Sequence, residues 1–174
     1  MRILNLHGLG SSGISNNNFH MIRNLFPDAE ITSDNQDYLK TDPEDLIYKY
    51  CCEEPYDFVI GNSFGGFFAY IIGADLGSKT LLTNPCIPAF EYISGLPDNY
   101  EFKDTLETLW KRYKDKNTDC HILIGMKDVV VDPYKTIREL SDSADIVRAD
   151  DCGHCLNGPV YEDWMHRQLA SLGG

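Results

Sequence analysis

A serine framed by two glycines is the part of this sequence best suited to chemistry. Ser63 lies in Gly61-Asn62-Ser63-Phe64-Gly65, between an apolar run typical of a buried strand and an apolar run typical of a buried helix. In a strand–turn–helix of this G-x-S-x-G form, the turn is so tight that side chains at the two glycine positions would collide with backbone. A hydroxyl presented there can attack an acyl group when a neighbouring base takes its proton.

That base is predicted to be His154. Three other histidines, His20, His121 and His166, fall within predicted helices or a predicted strand. His154 instead follows the last predicted strand directly, in a loop that can bend at Gly153. An imidazole in that position can take the serine proton and later pass it to a leaving group.

Two carboxylates are candidates for the acid that orients His154. Asp132 precedes a proline at a predicted helix start, which favours a role as the helix N-cap. Asp128 has no such role and comes just after the apolar run 122–125, at the edge of the sheet where ligands bind. We therefore predict Asp128 as the acid and keep Asp132 as the alternative.

Backbone N–H groups must also stabilise the oxyanion of a tetrahedral intermediate. Phe64 follows the serine directly, and Leu9 lies in the loop after the first predicted strand, so both are predicted to contribute to an oxyanion hole. Four residues of the same two turns are expected to support the site: His7, Gly8, Gly61 and Gly65.

These candidates follow the strands of a predicted parallel sheet. Apolar runs alternate with segments of helical period, which indicates an α/β protein built as a three-layer α/β/α sandwich. The predicted strands are residues 1–6, 29–33, 56–60, 79–83, 121–125 and 144–149. The predicted helices are residues 18–26, one beginning at Asp42-Pro43, 65–76, one that carries Phe102 to Tyr113, 133–140 and 160–172. Sites in such sheets lie outside the carboxyl ends of the strands, which is where the candidate residues fall.

The length and net charge of the chain further restrict its domain organisation and the kinds of partner it can bind. The 174 residues suit a single domain, 1–174, in which the longest connection, 84–118, is a candidate lid or substrate wall. A formal net charge of −12 disfavours nucleic acid or an anionic membrane as partner and leaves a small molecule. The start of the chain lacks a signal-peptide pattern, and no apolar run approaches the roughly 18 residues of a membrane span, so we expect a cytoplasmic protein.

A different chemistry is suggested by the glycines Gly8, Gly10 and Gly13. Their G-x-G-x-x-G spacing, with Asp34 about 20 residues beyond, is that of a dinucleotide-binding loop and would make the protein an NAD(P)-binding oxidoreductase. In that motif a helix begins within the glycine loop, so that its N-terminus meets the pyrophosphate. Residues 14–18 delay any good helix here, and we keep this function as an alternative only.

Cys152 and Cys155 flank His154 with the spacing of a redox dithiol, and the three side chains could also bind zinc. Reactive dithiols gain a low pKa from an adjacent helix N-terminus, but residues 157–159 separate these cysteines from the next predicted helix. A zinc site needs a fourth ligand, and the sequence has no second C-x-x-C or H-x-x-H motif. We therefore predict no cofactor and no metal, and keep a non-catalytic binding module as a further alternative.

Taken together, the motifs resemble the α/β-hydrolase superfamily, and more narrowly its small YqiA-type esterases. The resemblance rests on the segments LNLHGLGSSG, IGNSFGG, TNPCIP, GMKDVVVD and DCGHCL. It implies a minimal α/β-hydrolase fold with sheet order 2-1-3-4-5-6, and it implies that Ser63 is the nucleophile, Asp128 the acid and His154 the base. The cysteines beside His154 depart from the usual pattern.

The predicted function is that of a serine esterase acting on small esters through an acyl-enzyme intermediate. A thioester would pass through the same steps. A thioesterase with the same catalytic residues therefore remains an alternative.

Overall fold

One parallel sheet organises the chain. In residues 1–95 and 100–171, which this computed structural model describes, the sheet has six strands: β1 (Arg2–Leu6), β2 (Glu30–Thr32), β3 (Phe58–Asn62), β4 (Lys79–Thr83), β5 (Cys120–Gly125) and β6 (Asp145–Ala149). Their order across the sheet is β2-β1-β3-β4-β5-β6, and each pairing is parallel. The predicted fold class and strand order are confirmed.

Helices connect the strands and cover both faces of the sheet. Within the same described ranges they are α1 (Asn17–Leu25), α2 (Pro43–Cys51), α3 (Ser63–Leu76), α4 (Lys103–Tyr113), α5 (Pro133–Leu140) and α6 (Pro159–Ala170). A 3-10 segment, Ala89–Gly95, precedes α4. Apolar side chains of α1 and α6 pack on one face, and those of α2 to α5 pack on the other.

The alternation of side chains along β3 shows how the layers are joined. Phe58 and Ile60 are fully buried against the α1 and α6 side, whereas Val59 is fully buried against α3. Because successive strand residues point to opposite faces, a continuous apolar run fits a strand that is covered on both sides. Each such side chain contributes on the order of 1.5–3 kcal/mol by its burial.

Capping residues begin two of the helices where the sequence predicts. The Asp42 carboxylate accepts the N–H of Glu44 at 2.8 Å at the start of α2. Asp132 accepts the N–H of Tyr134 at 3.0 Å at the start of α5. Both helices have proline as their first residue, which needs no N–H partner.

The third strand and the helix after it differ from their predicted bounds. The strand runs from Phe58 to Asn62 rather than over 56–60, and the helix begins at Ser63 rather than at residue 65. The reason is the register with β4, in which Gly61 pairs with Leu82 and the strand continues through the following residue. The serine therefore lies at the junction of strand and helix.

The long connection 84–118 contributes α4 to the helical layer beside α3. The Trp110 side chain is buried, and its ring lies 5.6 Å from that of Tyr70 and 6.4 Å from that of Phe67. Four residues of the connection, 96–99, lie outside the described residues. Its role as a lid or substrate wall and the single-domain organisation stay predictions. None of the helices in the described ranges has the length and apolarity to cross a bilayer.

Candidate active site

Ser63 has the strained backbone of a tight strand-to-helix turn. Its φ angle is 50°, in the left-handed region that residues with a Cβ seldom occupy unless the surroundings enforce it. Two close approaches do so here. A Cβ on Gly65 would overlap the carbonyl oxygens of Leu6 and His7, and a Cβ on Gly61 would overlap the backbone of Gly65. The turn therefore requires both glycines, and it places the serine at the carboxyl end of β3.

A line of hydrogen bonds joins Ser63, His154 and Asp128. His154 Nε2 lies 3.1 Å from Ser63 Oγ, and His154 Nδ1 lies 2.7 Å from Asp128 Oδ2. The Asp128 side chain is only 1% exposed, whereas the histidine side chain is 22% exposed. Because Nδ1 faces a carboxylate, it carries the ring proton, and Nε2 presents its lone pair to the serine hydroxyl. The line thus runs from a buried carboxylate through a partly exposed imidazole to the serine hydroxyl.

The second oxygen of Asp128 is held by the turn that follows β5. Oδ1 accepts the N–H groups of Val130 at 2.8 Å and Val131 at 2.9 Å, which leaves Oδ2 directed at the histidine ring. Asp132 is used instead as the cap of α5. Within the described residues, His154 is hydrogen-bonded to Asp128 and not to Asp132.

The loop after β1 is held by the buried ring of His7. Its Nε2 accepts the N–H of Gln36 at 2.8 Å, so the ring proton is on Nδ1 and is donated to the Gly8 carbonyl at 2.7 Å. Tyr38 donates its hydroxyl to the His7 carbonyl at 2.7 Å. The Gly8 carbonyl shares a trans peptide unit with the N–H of Leu9, so that N–H points away from His7. The bonds therefore fix one of the two predicted oxyanion donors.

Phe64, the other predicted donor, belongs to the first turn of α3. The first N–H groups of a helix have no partner within that helix and carry the positive end of its dipole. The Phe64 ring is buried and lies 5.5 Å from the ring of Tyr38, which holds this turn against the loop after β1. Leu9 lines the same pocket as Ser63, and Phe64 follows the serine directly. Their role as an oxyanion hole stays a prediction.

Asn84 connects the two loops that carry the acid and the base, and sequence reasoning missed it. Its Nδ2 donates to the carbonyls of Gly153 at 2.9 Å and His154 at 2.7 Å, and its Oδ1 accepts the N–H of Gly125 at 2.7 Å. The residue is 3% exposed and has a positive φ of 44°. A signal was present, because Asn84 directly follows β4 at the edge of the sheet where the other site residues lie.

The cysteines near the site are free thiols. Cys86 Sγ lies 3.7 Å from Ser63 Oγ, and burial raises the pKa of this thiol to about 12. It is therefore protonated at neutral pH and is a poor nucleophile beside the serine. Cys152 is half-buried and Cys155 is exposed. In the described part of the chain, no three His, Cys, Asp or Glu side chains are arranged to hold a metal ion.

The glycine loop after β1 does not open a helix. α1 begins only at Asn17, beyond Gly13, so no helix N-terminus lies within the loop to meet a pyrophosphate. Asp34 is bound to Lys49 at 2.6 Å and to the Tyr50 hydroxyl at 3.0 Å, and the lysine contact holds the pKa of its carboxyl below the usual value. The geometry gives no support to a dinucleotide site here.

Ser63 and His154 border a pocket of about 260 Å³ at the carboxyl edge of the sheet. The loops after β1 and β6 form its rim, and the ends of β3 and β4 form its floor. We name it the polar pocket, because its inner lining includes Asn18, Asn62, Thr83 and Tyr161.

Comparison with known proteins identifies one family for this chain. Residues 2–165 match the model of a family described as uncharacterised protein family UPF0227. Curated relatives include UPF0227 proteins of Vibrio cholerae serotype O1, for example from strains ATCC 39541 and ATCC 39315. Each is 27% identical over 161 residues, which covers 87% of this chain and 89% of the relative.

Solved structures with the same fold include proteins described as an esterase domain and as a lipase. The esterase domain of a Rhodothermus marinus protein has a TM-score of 0.70 at 15% identity, covering 99% of this chain and 85% of that protein. A monoacylglycerol lipase from Paleococcus ferrophilus has a TM-score of 0.67 at 14% identity, with coverage of 98% and 93%. At such identities the likeness shows the fold alone. Since the family match spans nearly the whole chain, the protein belongs to the UPF0227 family and has the α/β-hydrolase fold, as its resemblance to the YqiA-type members indicates.

Proposed function

We propose that this protein is a serine hydrolase that cleaves carboxylic esters. The observation that carries the proposal is the unbroken hydrogen-bonded line from Asp128 through His154 to Ser63, at the mouth of a pocket. A buried carboxylate, an imidazole of defined tautomer and a serine on a strained turn are the parts that acyl transfer requires. The descriptions of two structural neighbours as an esterase domain and a monoacylglycerol lipase support the same class of reaction.

The first half of the proposed reaction acylates Ser63. Its Oγ attacks the ester carbonyl carbon while His154 Nε2 takes the hydroxyl proton, and Asp128 stabilises the resulting imidazolium. The tetrahedral oxyanion accepts hydrogen bonds from the N–H groups of Leu9 and Phe64. As the bond to the leaving alcohol breaks, His154 gives that alcohol the same proton, and the acyl group remains on the serine.

The second half reverses these roles with water. A water molecule gives a proton to His154 Nε2 and attacks the acyl carbon, forming a second tetrahedral intermediate. When this intermediate collapses, the carboxylic acid leaves and the proton returns to Ser63 Oγ. No redox step or external cofactor enters this sequence.

Labelling with a fluorophosphonate probe tests the proposal directly. Wild-type protein should be labelled at Ser63 and should hydrolyse p-nitrophenyl esters, and Ser63→Ala should lose both properties. Cys86→Ala is the matched control, because it removes the thiol 3.7 Å from the serine and should remain labelled. Ester hydrolysis that survives Ser63→Ala at the wild-type rate would overturn the proposal.

A further inference from the structure

The polar pocket adjoins Ser63 on the face of the sheet that α1 and α6 cover. None of its described lining residues is Asp, Glu, Lys or Arg. Its volume of about 260 Å³ lies below the ~300–1,000 Å³ typical of sites for drug-sized ligands. The pocket therefore suits an uncharged group of a few heavy atoms.

The floor of the pocket changes from apolar to polar within two residues of each strand that forms it. On the α1 and α6 face, β3 and β4 carry fully buried apolar side chains, and two residues further along each strand the same face carries polar ones that line the pocket. The apolar set is Ile60 and Leu81, and the polar set is Asn62 and Thr83. Buried amides and hydroxyls cost free energy unless they are hydrogen-bonded. A pocket that binds an alkyl chain would instead have apolar side chains at the ends of these strands.

A chain of buried polar side chains orients this floor. Tyr161 of α6 donates its hydroxyl to Asn18 Oδ1 at 2.6 Å, and Asn18 Nδ2 lies 3.5 Å from Thr83 Oγ1. Each of the three residues is more than nine-tenths buried. The second separation is at the long limit of a hydrogen bond, so the amide and the threonine hydroxyl both keep capacity for a ligand.

Asn62 adds an amide that the fold does not satisfy. Its Oδ1 is buried and has no hydrogen-bond partner in the described residues. Leaving such an atom unpaired typically costs about 1–3 kcal/mol. A half-turn of the amide exchanges its oxygen and nitrogen, so it can present either an acceptor or a donor to the pocket.

We propose that the polar pocket binds a small, uncharged, hydrogen-bonding group next to the scissile bond of the substrate, such as an ether, hydroxyl or amide. This inference rests on the proposed esterase function and names its substrate class: esters with a polar substituent are favoured over aliphatic esters of equal size. A site built from hydrogen-bonding groups disfavours the analogue that lacks the partner, because its own polar atoms then stay unpaired.

Two pairs of isosteric esters test this preference in the wild-type protein. The first pair is p-nitrophenyl methoxyacetate and p-nitrophenyl butyrate, and the second is the 2-methoxyethyl and butyl esters of butyric acid. Each kcat/KM is divided by the rate constant for hydroxide-catalysed hydrolysis, because the ether oxygen also activates the ester chemically. We expect a corrected preference of about fivefold or more for the ether, the size expected of one neutral hydrogen bond.

The pair that shows the preference identifies the side of the ester that enters the pocket. A preference in the first pair means that the acyl group of the ester occupies the pocket, and a preference in the second pair means that the alcohol group occupies it. Corrected ratios near one in both pairs would overturn the inference.

Variants locate the preference in the pocket. Thr83→Val and Asn62→Leu should lower the corrected ratio towards one, and Thr83→Ser, which keeps the hydroxyl, should preserve it. Thr80→Val is the matched control, because Thr80 is buried on the opposite face of the same strand. A ratio of two substrates does not depend on the active fraction, so partial misfolding does not affect the result. Unchanged ratios in both Thr83→Val and Asn62→Leu would overturn the inference.

Failure of this inference can be told apart from failure of the proposed function. A wild-type protein that is not labelled by a fluorophosphonate and hydrolyses neither ester of either pair contradicts the esterase itself. A protein that is labelled at Ser63 and shows corrected ratios near one in both pairs contradicts only the polar subsite.

Discussion

Asp128 and Asp132 have the same side chain four positions apart but perform different tasks. The turn after β5 gives the N–H groups of Val130 and Val131 to one oxygen of Asp128 and leaves the other for His154. Asp132 directs its carboxylate at the first turn of α5. At the residue scale, local backbone geometry therefore decides which carboxylate can orient the imidazole.

Asp128→Asn should reduce kcat for ester hydrolysis by about 10⁴-fold, the loss that this exchange causes in a serine protease. The asparagine amide can donate to His154 Nδ1, which would then hold the ring proton on Nε2, where the serine needs a lone pair. Steady-state hydrolysis of a p-nitrophenyl ester at neutral pH measures the effect.

Asp132→Ala serves as the control for this experiment. It should cost about 1 kcal/mol of unfolding free energy, as the loss of a helix cap does, and should leave turnover close to wild type. If Asp132→Ala abolished turnover while Asp128→Asn did not, the acid would have to be assigned to Asp132.

At the scale of elements, the site depends on how loops after separate strands are held together. The amide of Asn84, which follows β4, bonds to the end of β5 and to the loop after β6. Asp128 follows β5, and His154 lies in the loop after β6. This buried side chain thereby helps to hold Asp128 and His154 at a fixed separation, together with the Lys127 N–H, which bonds to the Cys152 carbonyl at 2.9 Å.

Asn84→Gly tests this positioning role. Glycine tolerates the positive φ of 44°, so the substitution removes the three hydrogen bonds without adding backbone strain. We expect kcat to fall at least tenfold while KM for a neutral ester changes little, because the side chain contacts the loops and not the substrate.

Asn84→Asp provides the complementary variant. Its carboxylate would face the carbonyl oxygens of Gly153 and His154, so it should impair kcat more than the glycine does. A kcat equal to that of the wild type in the glycine variant, despite a lower unfolding temperature, would show that Asn84 is only structural.

Periodicity and motif spacing were sufficient for a parallel α/β sheet and for the four loops that carry the candidate site, whereas the order of the strands was implied by the family resemblance. They could not locate the end of β3, because the strand is extended past Gly61 by its pairing with β4. They also missed Asn84 and the chain from Tyr161 to Thr83, since these contacts join residues from distant parts of the sequence. Such networks depend on side-chain directions that only the assembled layers define.

At the scale of the whole molecule, the net negative charge opposes folding. The net charge of −12 is spread over a small protein, and its like charges repel one another in the compact state. The ion pairs that offset this repulsion, such as Lys49 with Asp34 and Lys111 with Glu107, are mostly exposed, and exposed pairs contribute about 0–1 kcal/mol each.

Added salt should therefore stabilise this protein. Raising NaCl from 10 to 300 mM shortens the screening length several-fold, and we expect the melting temperature to rise by about 2–4 °C, which corresponds to about 1 kcal/mol for a chain of this size. Differential scanning calorimetry measures the shift. Near the isoelectric pH, where the net charge vanishes, the same salt should have little effect. A decrease at neutral pH would mean that the attractive ion pairs outweigh the net repulsion.

The chain of polar side chains beneath Ser63 shares no hydrogen bond with the line from Asp128 to Ser63 in the described residues. Mutations at Thr83, Asn18 or Tyr161 can therefore alter which molecules are admitted while the reactive groups keep their geometry. If the proposed esterase is active, its selectivity and reactivity should be separable traits in evolution. A library limited to these three codons is a rational starting point for directing the proposed enzyme towards new esters.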